Sequence, residues 1–329
     1  MKRIEKHAKG TGGFFSCSYL VQSDRGPRAF LKALDFTKAL QAPDPALAFQ
    51  GMTEAYNFER ELLLKCNQRH MDRVVKAITD GLVRIDGAPA GGVVQYLIFE
   101  LADHDVRAEL ALLPDLELAW VLRVLHHIAT GLHQLHSADI AHQDLKPSNV
   151  LVFRREKVSK VADLGSASYR GHDGPKDHIP FPGDYSYGPP ELLYRHVDPD
   201  WNKRRLGCDA YLLGSMVVFF FTELSATSVL MSEMHADHHW LNWRGSFDEV
   251  LPYIRDAFSR VLATFAESIS NTTLRSELTQ VVEQLCEPHP RYRGHPANIR
   301  GLGSQFSLER YVSKFDLLAT RAELRMFKD

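Results

Sequence analysis

The chain has 329 residues, 44% hydrophobic and 24% charged, and its 39 basic and 41 acidic residues leave a formal net charge of −2. This composition excludes intrinsic disorder for the bulk of the chain, and the charge balance gives no electrostatic argument for nucleic acid or an anionic membrane as the main partner. The four cysteines, Cys17, Cys66, Cys208 and Cys286, lack CxxC spacing, which excludes zinc-finger and thioredoxin-type motifs and favours a reducing compartment.

The first hundred residues are rich in strand signals. Residues 10–36 predict short strands around a glycine-rich turn, and residues 41–53 predict a loop. A helix is predicted from residue 53 to about residue 69, because apolar side chains recur there with helical spacing. Two further strands are predicted at 74–84 and 93–101, separated by a turn-rich segment.

After Ala102 the patterns become helical. A long amphipathic helix is predicted at 116–135, and the apolar run at 211–221 predicts a buried core helix. That run is about half as long as the roughly 20 residues that a membrane span needs. The N-terminus carries charge but no apolar stretch, so we expect no signal peptide, no membrane span and a cytoplasmic location.

The last helical pattern lies within residues 307–329 and has one apolar face. Such a helix most often packs on its own domain, and a partner or dimer contact is the alternative. The whole pattern predicts an α+β chain in which a small strand-rich part precedes a larger helical part.

The strongest functional motif is HQDLKPSNVLVF, residues 142–153. It places Asp144, Lys146 and Asn149 in a predicted loop just before a strand. Phosphoryl transfer needs these residue types, since a carboxylate orients the acceptor hydroxyl, an amide oxygen holds a metal ion and an ammonium group neutralises the γ-phosphate. A chance match over so many positions is improbable.

These residues resemble the eukaryotic-type protein kinase family. HQDLKPSN resembles its catalytic loop H-R-D-L-K-x-x-N, and Asp163-Leu164-Gly165, after a strand-like run, resembles D-F-G. The resemblance extends over about residues 8–300. It implies a bilobal α+β fold, with a small strand-rich N lobe over 1–101 and a larger helical C lobe over 102–329.

In the N lobe, the resemblance implies that Lys32 places the α- and β-phosphates of ATP and that a helix glutamate holds this lysine. Glu61 is preferred as that partner because it precedes the leucine run 62–64, and Glu59 is the alternative.

The remaining ATP contacts implied by the resemblance are made through the backbone. Gly10, Gly12 and Gly13 resemble the start of the phosphate-binding loop. Glu100 and Ala102 mark the predicted hinge that binds adenine.

In the C lobe, the resemblance implies that Asp144 and Lys146 are catalytic and that Asn149 and Asp163 bind Mg²⁺. A lysine two residues after the aspartate is typical of Ser/Thr kinases. The implied function is therefore Mg²⁺- and ATP-dependent phosphorylation of Ser/Thr on a protein substrate.

Three further residues resemble structural positions of the family. Glu191 resembles the end of A-P-E, and Arg293 resembles its ion-pair partner. Asp209 resembles the aspartate that braces the catalytic loop from a buried helix.

Of four departures from the family pattern, Leu164 in place of the phenylalanine of D-F-G is conservative, and the other three put activity in question. Phe15 stands at the third glycine of the phosphate loop, Gln143 replaces the arginine of H-R-D, and Asp184 replaces a threonine. Without that arginine (a non-RD kinase), switching by loop phosphorylation is disfavoured and the loop is ordered in another way. Asp184 is placed to pair with Lys146 but also to repel Asp144.

The activation loop from residue 166 to residue 182 offers Ser166, Ser168 and Tyr169 as candidate phosphorylation sites. Two other functions stay open. One is a kinase-like enzyme acting on a small molecule, which Gln143 and Asp184 allow. The other is a weakly active ATP-binding scaffold, for which Phe15 is the best argument.

Overall fold

The structure is a computed structural model that describes residues 2–6, 16–24, 26–37, 39–84, 92–113 and 117–327. Its N-terminal strands are β1 (Lys2–Lys6), β2 (Ser16–Gln22), β3 (Arg28–Leu34), β4 (Ala77–Arg84) and β5 (Val93–Glu100). They form one antiparallel sheet in the order β1-β2-β3-β5-β4. Lys32 lies on the central strand, opposite Ser18 on β2 and Leu97 on β5.

The N-terminal sheet is covered by one long helix, α1 (Pro45–Gln68). The expected loop over 41–53 is wrong from residue 45 onward, because the helix begins eight residues before the predicted start. Asp44 caps the helix by accepting a hydrogen bond from the Leu47 N–H at 3.0 Å, and Pro45 fits the first turn.

The C-terminal part is mainly helical. Its helices are α2 (Val106–Leu112), α3 (Leu118–His136), α4 (Pro190–Leu193), α5 (Gly207–Thr222), α6 (Ala226–Glu233), α7 (Phe247–Glu267), α8 (Thr272–Leu285), α9 (Pro296–Arg300) and α10 (Glu309–Glu323). This part follows the N-terminal sheet, so the expected α+β organisation is confirmed.

Helix α5 is the centre of the C-terminal core. A π-helical turn, Asn202–Leu206, runs directly into it. Together, residues 202–222 are the one stretch within the described ranges that is long and apolar enough to cross a membrane, and 89% of its apolar window is buried inside the protein. The helix therefore has the environment of a core helix.

Short strands position the loops between the two parts. They are β6 (His104–Asp105), β7 (Ile140–Ala141), β8 (Val150–Phe153), β9 (Val158–Val161) and β10 (Ser168–Tyr169). β6, β8 and β9 form one small sheet, and β7 pairs with β10. Residues 142–149 thus run between β7 and β8, and Asp163 follows β9, which brings the two predicted functional loops together.

The C-terminal helix packs on its own domain. Tyr311, Phe315 and Leu318 on α10 are buried in the main core. Arg123 on α3 reaches α10, with ion pairs to Asp316 at 2.6 Å and to Glu323 at 2.9 Å. The apolar face that the sequence predicts is therefore covered from within the chain.

Candidate active site

Lys32 pairs with Glu59, and the prediction that Glu61 is its partner is wrong. The Nζ atom of Lys32 lies 3.0 Å from both carboxylate oxygens of Glu59. Side chains two positions apart on a helix point about 200° apart, so only one of the two glutamates faces the sheet. Glu59 shares the buried face of α1 with Leu62 and Leu63, whereas Glu61 is exposed.

Asp163 completes a cluster of three charges. Its Oδ1 atom lies 3.3 Å from Lys32 Nζ and accepts a hydrogen bond from the Gly165 N–H. The charge of Lys32 lowers the pKa of Asp163 to about 2, against the effect of burial. Burial alone would lower the pKa of Lys32, but Asp163 and Glu59 together raise it. Burial raises the pKa of Glu59, and Lys32 opposes that shift.

The catalytic loop is held in place by hydrogen bonds from its backbone to Asp209. This buried side chain on α5 accepts hydrogen bonds from the N–H groups of His142 and Gln143, both at 2.7 Å. His142 in turn contacts the Ala162 carbonyl at 2.9 Å, next to Asp163. The loop and the Asp163 motif are therefore fixed relative to one another.

Asp144 lies at the centre of the loop with both oxygens engaged. Oδ1 accepts a hydrogen bond from the Asp184 N–H at 2.9 Å, and Oδ2 accepts one from Asn149 Nδ2 at 3.0 Å. Lys146 Nζ lies 3.3 Å from Oδ2. Burial raises the pKa of Asp144, and the nearby Lys146 charge opposes that shift.

Asp184 reaches Lys146, as its position in the sequence suggests. The Asp184 Oδ2 to Lys146 Nζ distance is 3.6 Å, while Oδ1 accepts hydrogen bonds from the Ser186 N–H and hydroxyl. Burial alone would raise the pKa of Asp184, but the Ser186 and Lys146 contacts lower it. Lys146 therefore lies between two carboxylates, which together raise its pKa against the effect of burial.

The structure brings Lys32, Asp144 and Asp163 into one site, and the comparison with protein families bears on what that site is. The family profile described as "Protein kinase domain" matches residues 6–300. This chain belongs to the protein kinase family. Its N-terminal sheet and its helical C-terminal part are the two lobes of a kinase domain, so the bilobal α+β fold implied by the resemblance is confirmed. The exact residue at which the lobes divide stays a prediction.

Several curated relatives are Ser/Thr or cyclin-dependent kinases. The Ser/Thr-protein kinase PTK2/STK2 of Saccharomyces cerevisiae is 26% identical over 184 residues, covering 50% of this chain and 22% of the relative. Human cyclin-dependent kinase-like 2 is 32% identical over 127 residues (38% and 24%), and human cyclin-dependent kinase 9 is 34% identical over 107 residues (31% and 28%). The matches thus span less than a third of the length of these relatives.

The kinase domain has oxygen donors that suit a hard cation. Asn149 uses its Nδ2 atom for two hydrogen bonds to Asp144, and within the described residues its Oδ1 atom accepts none. The Asp163 side chain is 42% exposed. Across the described ranges no group of three or more His, Cys, Asp or Glu side chains could hold a metal. A cation here would rely on these two donors and on substrate oxygens, as Mg²⁺ commonly does.

The other predicted ATP contacts have different outcomes. Gly10, Gly12 and Gly13 lie outside the described residues, as does Phe15. The Glu100 carboxylate accepts hydrogen bonds from Lys160 Nζ at 2.8 Å and from the Lys76 N–H at 2.7 Å. That side chain thus joins β5 to β9, and the role of the 100–102 backbone in binding adenine stays a prediction.

The kinase domain buries the ion pair between Arg293 and Glu191. Arg293 donates to Glu191 through both terminal nitrogens at 2.7 Å, and its side chain is 0% exposed. The same guanidinium donates to the carbonyls of Gly207, Glu287 and Pro288. The pairing that the sequence implied is present, and it ties α4 to the start of α5.

Sequence reasoning missed Arg205, which contacts the catalytic loop, and Asp177, which contacts Arg205. Arg205 donates to the Gln143 side chain, and Asp177 accepts from Arg205. The only signal in the sequence was Gln143 itself, because a buried amide must find hydrogen-bond partners.

Proposed function

We propose that this kinase domain transfers the γ-phosphoryl group of ATP to Ser or Thr hydroxyls of a protein, with Mg²⁺ as cofactor. The observation that carries the proposal is the position of Lys146 Nζ, 3.3 Å from Asp144 and 3.6 Å from Asp184. A positive charge beside the candidate base stabilises a phosphoryl group in transfer. The Ser/Thr kinases among the relatives support the same acceptor class.

Asp144 is the group we assign as the base that orients the acceptor hydroxyl. The Asp184 N–H and Asn149 Nδ2 hold the two carboxylate oxygens in fixed directions. Because burial raises the pKa of Asp144, its carboxylate is a better proton acceptor than that of an exposed aspartate.

Lys32 is the group we assign to the α- and β-phosphates of ATP. Glu59 holds its ammonium group from α1, and Asp163 lies 3.3 Å from the same nitrogen. Asn149 and Asp163 would hold Mg²⁺, which supplies charge neutralisation along the phosphate chain. The chain's own task is to align these groups before the substrates arrive.

The partners follow from this function. We propose a protein substrate and a cytoplasmic location, with no nucleic acid and no membrane span. A partner or dimer contact through the C-terminal helix would have to use its outer face, because α3 covers the inner one.

A transfer assay tests the proposal. The protein is incubated with radiolabelled ATP and a generic basic protein, with Mg²⁺ or with a chelator, and the labelled amino acid is identified by hydrolysis. We expect Mg²⁺-dependent label on Ser or Thr. Label confined to tyrosine or to a small molecule, or nucleotide binding with no transfer at all, would contradict it. The last result would favour the scaffold.

A further inference from the structure

The activation segment, residues 163–191, is anchored to the catalytic loop by hydrogen bonds from Gln143. Gln143 occupies the position of the usual arginine and is 0% exposed. Its Nε2 atom donates to the Ser168 hydroxyl at 2.6 Å and to the Ser166 carbonyl at 3.2 Å. Both serines are buried, so these two candidate phosphorylation sites are used as internal hydrogen-bond partners.

A charge from another element replaces the missing arginine. Arg205, in the π-helical turn before α5, is 1% exposed and donates to the Gln143 side-chain oxygen. Its Nη2 atom also contacts Asp177 in the activation segment, at 2.9 Å to the carbonyl and 3.2 Å to Oδ1. Arg205 thus makes charge-assisted hydrogen bonds that link the catalytic loop to the activation segment. A phosphate group on the segment would make hydrogen bonds of the same kind to an arginine.

Asp177 connects other residues of the activation segment to Arg205. Its carboxylate accepts hydrogen bonds from the Ser168 hydroxyl and from the Gly174 N–H, the latter at 2.7 Å. Arg204 adds a second guanidinium, which donates to the carbonyls of Asp177 and Ile179. The negative charge needed to order the segment is thus supplied by a side chain of the segment itself.

The anchor is connected to the base. The Ser166 hydroxyl contacts the Pro182 carbonyl at 3.3 Å. At the next residue, Gly183, a Cβ would lie 2.3 Å from the Gln143 carbonyl, so the close approach requires glycine. Asp184 then donates its N–H to Asp144. A displaced segment would therefore move the group that orients the base.

We infer that Arg205 and Asp177 are positioning residues that hold the activation segment in its ordered conformation in place of an activating phosphate. The inference rests on the proposed function, because it concerns the same base and acceptor. By this inference, the activation segment is ordered in the unphosphorylated chain.

Hydrogen–deuterium exchange tests the anchor independently of catalysis. The full chain is treated with phosphatase, and its unphosphorylated state is checked by intact mass. We expect slow exchange at 167–184 in this protein and exchange about tenfold faster in Asp177→Asn, since one charge-assisted hydrogen-bond network is lost. Arg205→Lys keeps a charge but loses the forked geometry, and we expect an intermediate rate. Asp173→Asn, an exposed residue of the same segment, is the matched control and should match wild type.

The same proteins separate positioning from a general structural role. We expect Asp177→Asn to lower kcat/KM for the protein acceptor about tenfold while KM for ATP stays within about twofold. Fast exchange in unphosphorylated wild type that slows on phosphorylation would overturn the inference, as would equal exchange in wild type and Asp177→Asn. Failure of the proposed function looks different. It is an absence of transfer from wild type in every phosphorylation state, and the exchange results would still decide for or against the anchor.

Discussion

At the scale of single residues, Lys32, which we assign to the ATP phosphates, has two carboxylate neighbours with different surroundings. Glu59 is 9% exposed at 3.0 Å from Lys32, while Asp163 is 42% exposed at 3.3 Å. A buried carboxylate gains most from a paired cation, because water cannot replace that partner. Glu59 is therefore the buried partner that holds Lys32, and we assign the more exposed Asp163 to the metal and phosphates.

Replacing the two helix glutamates separately tests this assignment. We expect Glu59→Gln to lower kcat/KM for ATP about tenfold to a hundredfold, because Lys32 loses the carboxylate that holds its ammonium group in position. Glu61→Gln is the matched control and should stay within about twofold of wild type, since that side chain is exposed. Steady-state kinetics with varied ATP measures both, and equal losses in the two variants would refute the assignment.

The choice between Glu59 and Glu61 shows what the sequence pattern could not predict. The motif before the leucine run favoured Glu61, but the direction of a helical side chain depends on which face of α1 meets the sheet. Tyr56 and Leu63 define that face, and both lie in the N-lobe cluster. Asp144, Asn149 and Asp163 could be recognised in the sequence because their spacing is fixed within short loops.

Lys146 sets the acid side of the pH dependence. Protonated Asp144 is inactive as a base. Burial raises the pKa of Asp144, and the Lys146 charge limits that rise. Removing that charge takes away the first of the interactions that oppose burial, so the pKa of Asp144 rises further. We expect the acid limb of kcat/KM to move to higher pH in Lys146→Met and to stay in place in the exposed control Lys76→Met. An unchanged limb in Lys146→Met would show that the base is another group.

At the scale of elements, α5 organises the C lobe around two buried charges. Asp209 near its first residue holds the catalytic loop, and the Gly207 carbonyl accepts from Arg293. Arg293 in turn holds Glu191 at the start of α4. One end of a core helix thus fixes both the catalytic loop and the end of the activation segment.

Breaking the buried pair should cost far more stability than breaking an exposed one. Glu191→Gln leaves the Arg293 charge buried without its counter-ion, and we expect the free energy of unfolding to fall by about 3–5 kcal/mol. Asp256→Asn removes a surface partner of Arg260 and should cost less than about 1 kcal/mol. Chemical denaturation measures both, and similar losses would contradict the structural role of Arg293.

Among the elements, prediction from sequence worked where a periodic pattern was long. The helix predicted at 116–135 is α3, Leu118–His136. The start of α1 was missed because residues 41–53 are loop-like in composition, although Asp44 and Pro45 form a helix-start signal. Local capping outweighed the composition of the segment.

At the scale of the whole molecule, backbone hydrogen bonds and an ion pair connect the two lobes. The Val75 N–H donates to the Val161 carbonyl at 2.8 Å, and the Val161 N–H donates to the Arg73 carbonyl at 2.9 Å. Glu100 and Lys160 add an ion pair at 2.8 Å. These contacts join the N lobe to β9, which ends two residues before Asp163. They therefore help to keep Asp163 close to Lys32.

The order of the motifs along the chain was enough to predict a bilobal kinase fold, but not the contacts that order the activation segment. Arg205 and Asp177 are 28 residues apart in the sequence and meet only in the folded chain. Neither belongs to a motif. Their pairing depends on tertiary structure, which no local pattern encodes.

The rate of γ-phosphoryl transfer in Asp144→Asn tests the central claim most directly. Nucleotide affinity is measured separately, and Asp24→Asn in an exposed turn is the control. We predict that Asp144→Asn binds Mg²⁺-ATP like wild type but transfers to protein Ser/Thr about 10²- to 10⁴-fold more slowly, while the control is unchanged. Transfer by Asp144→Asn at the wild-type rate would show that this site is not where the acceptor hydroxyl is activated.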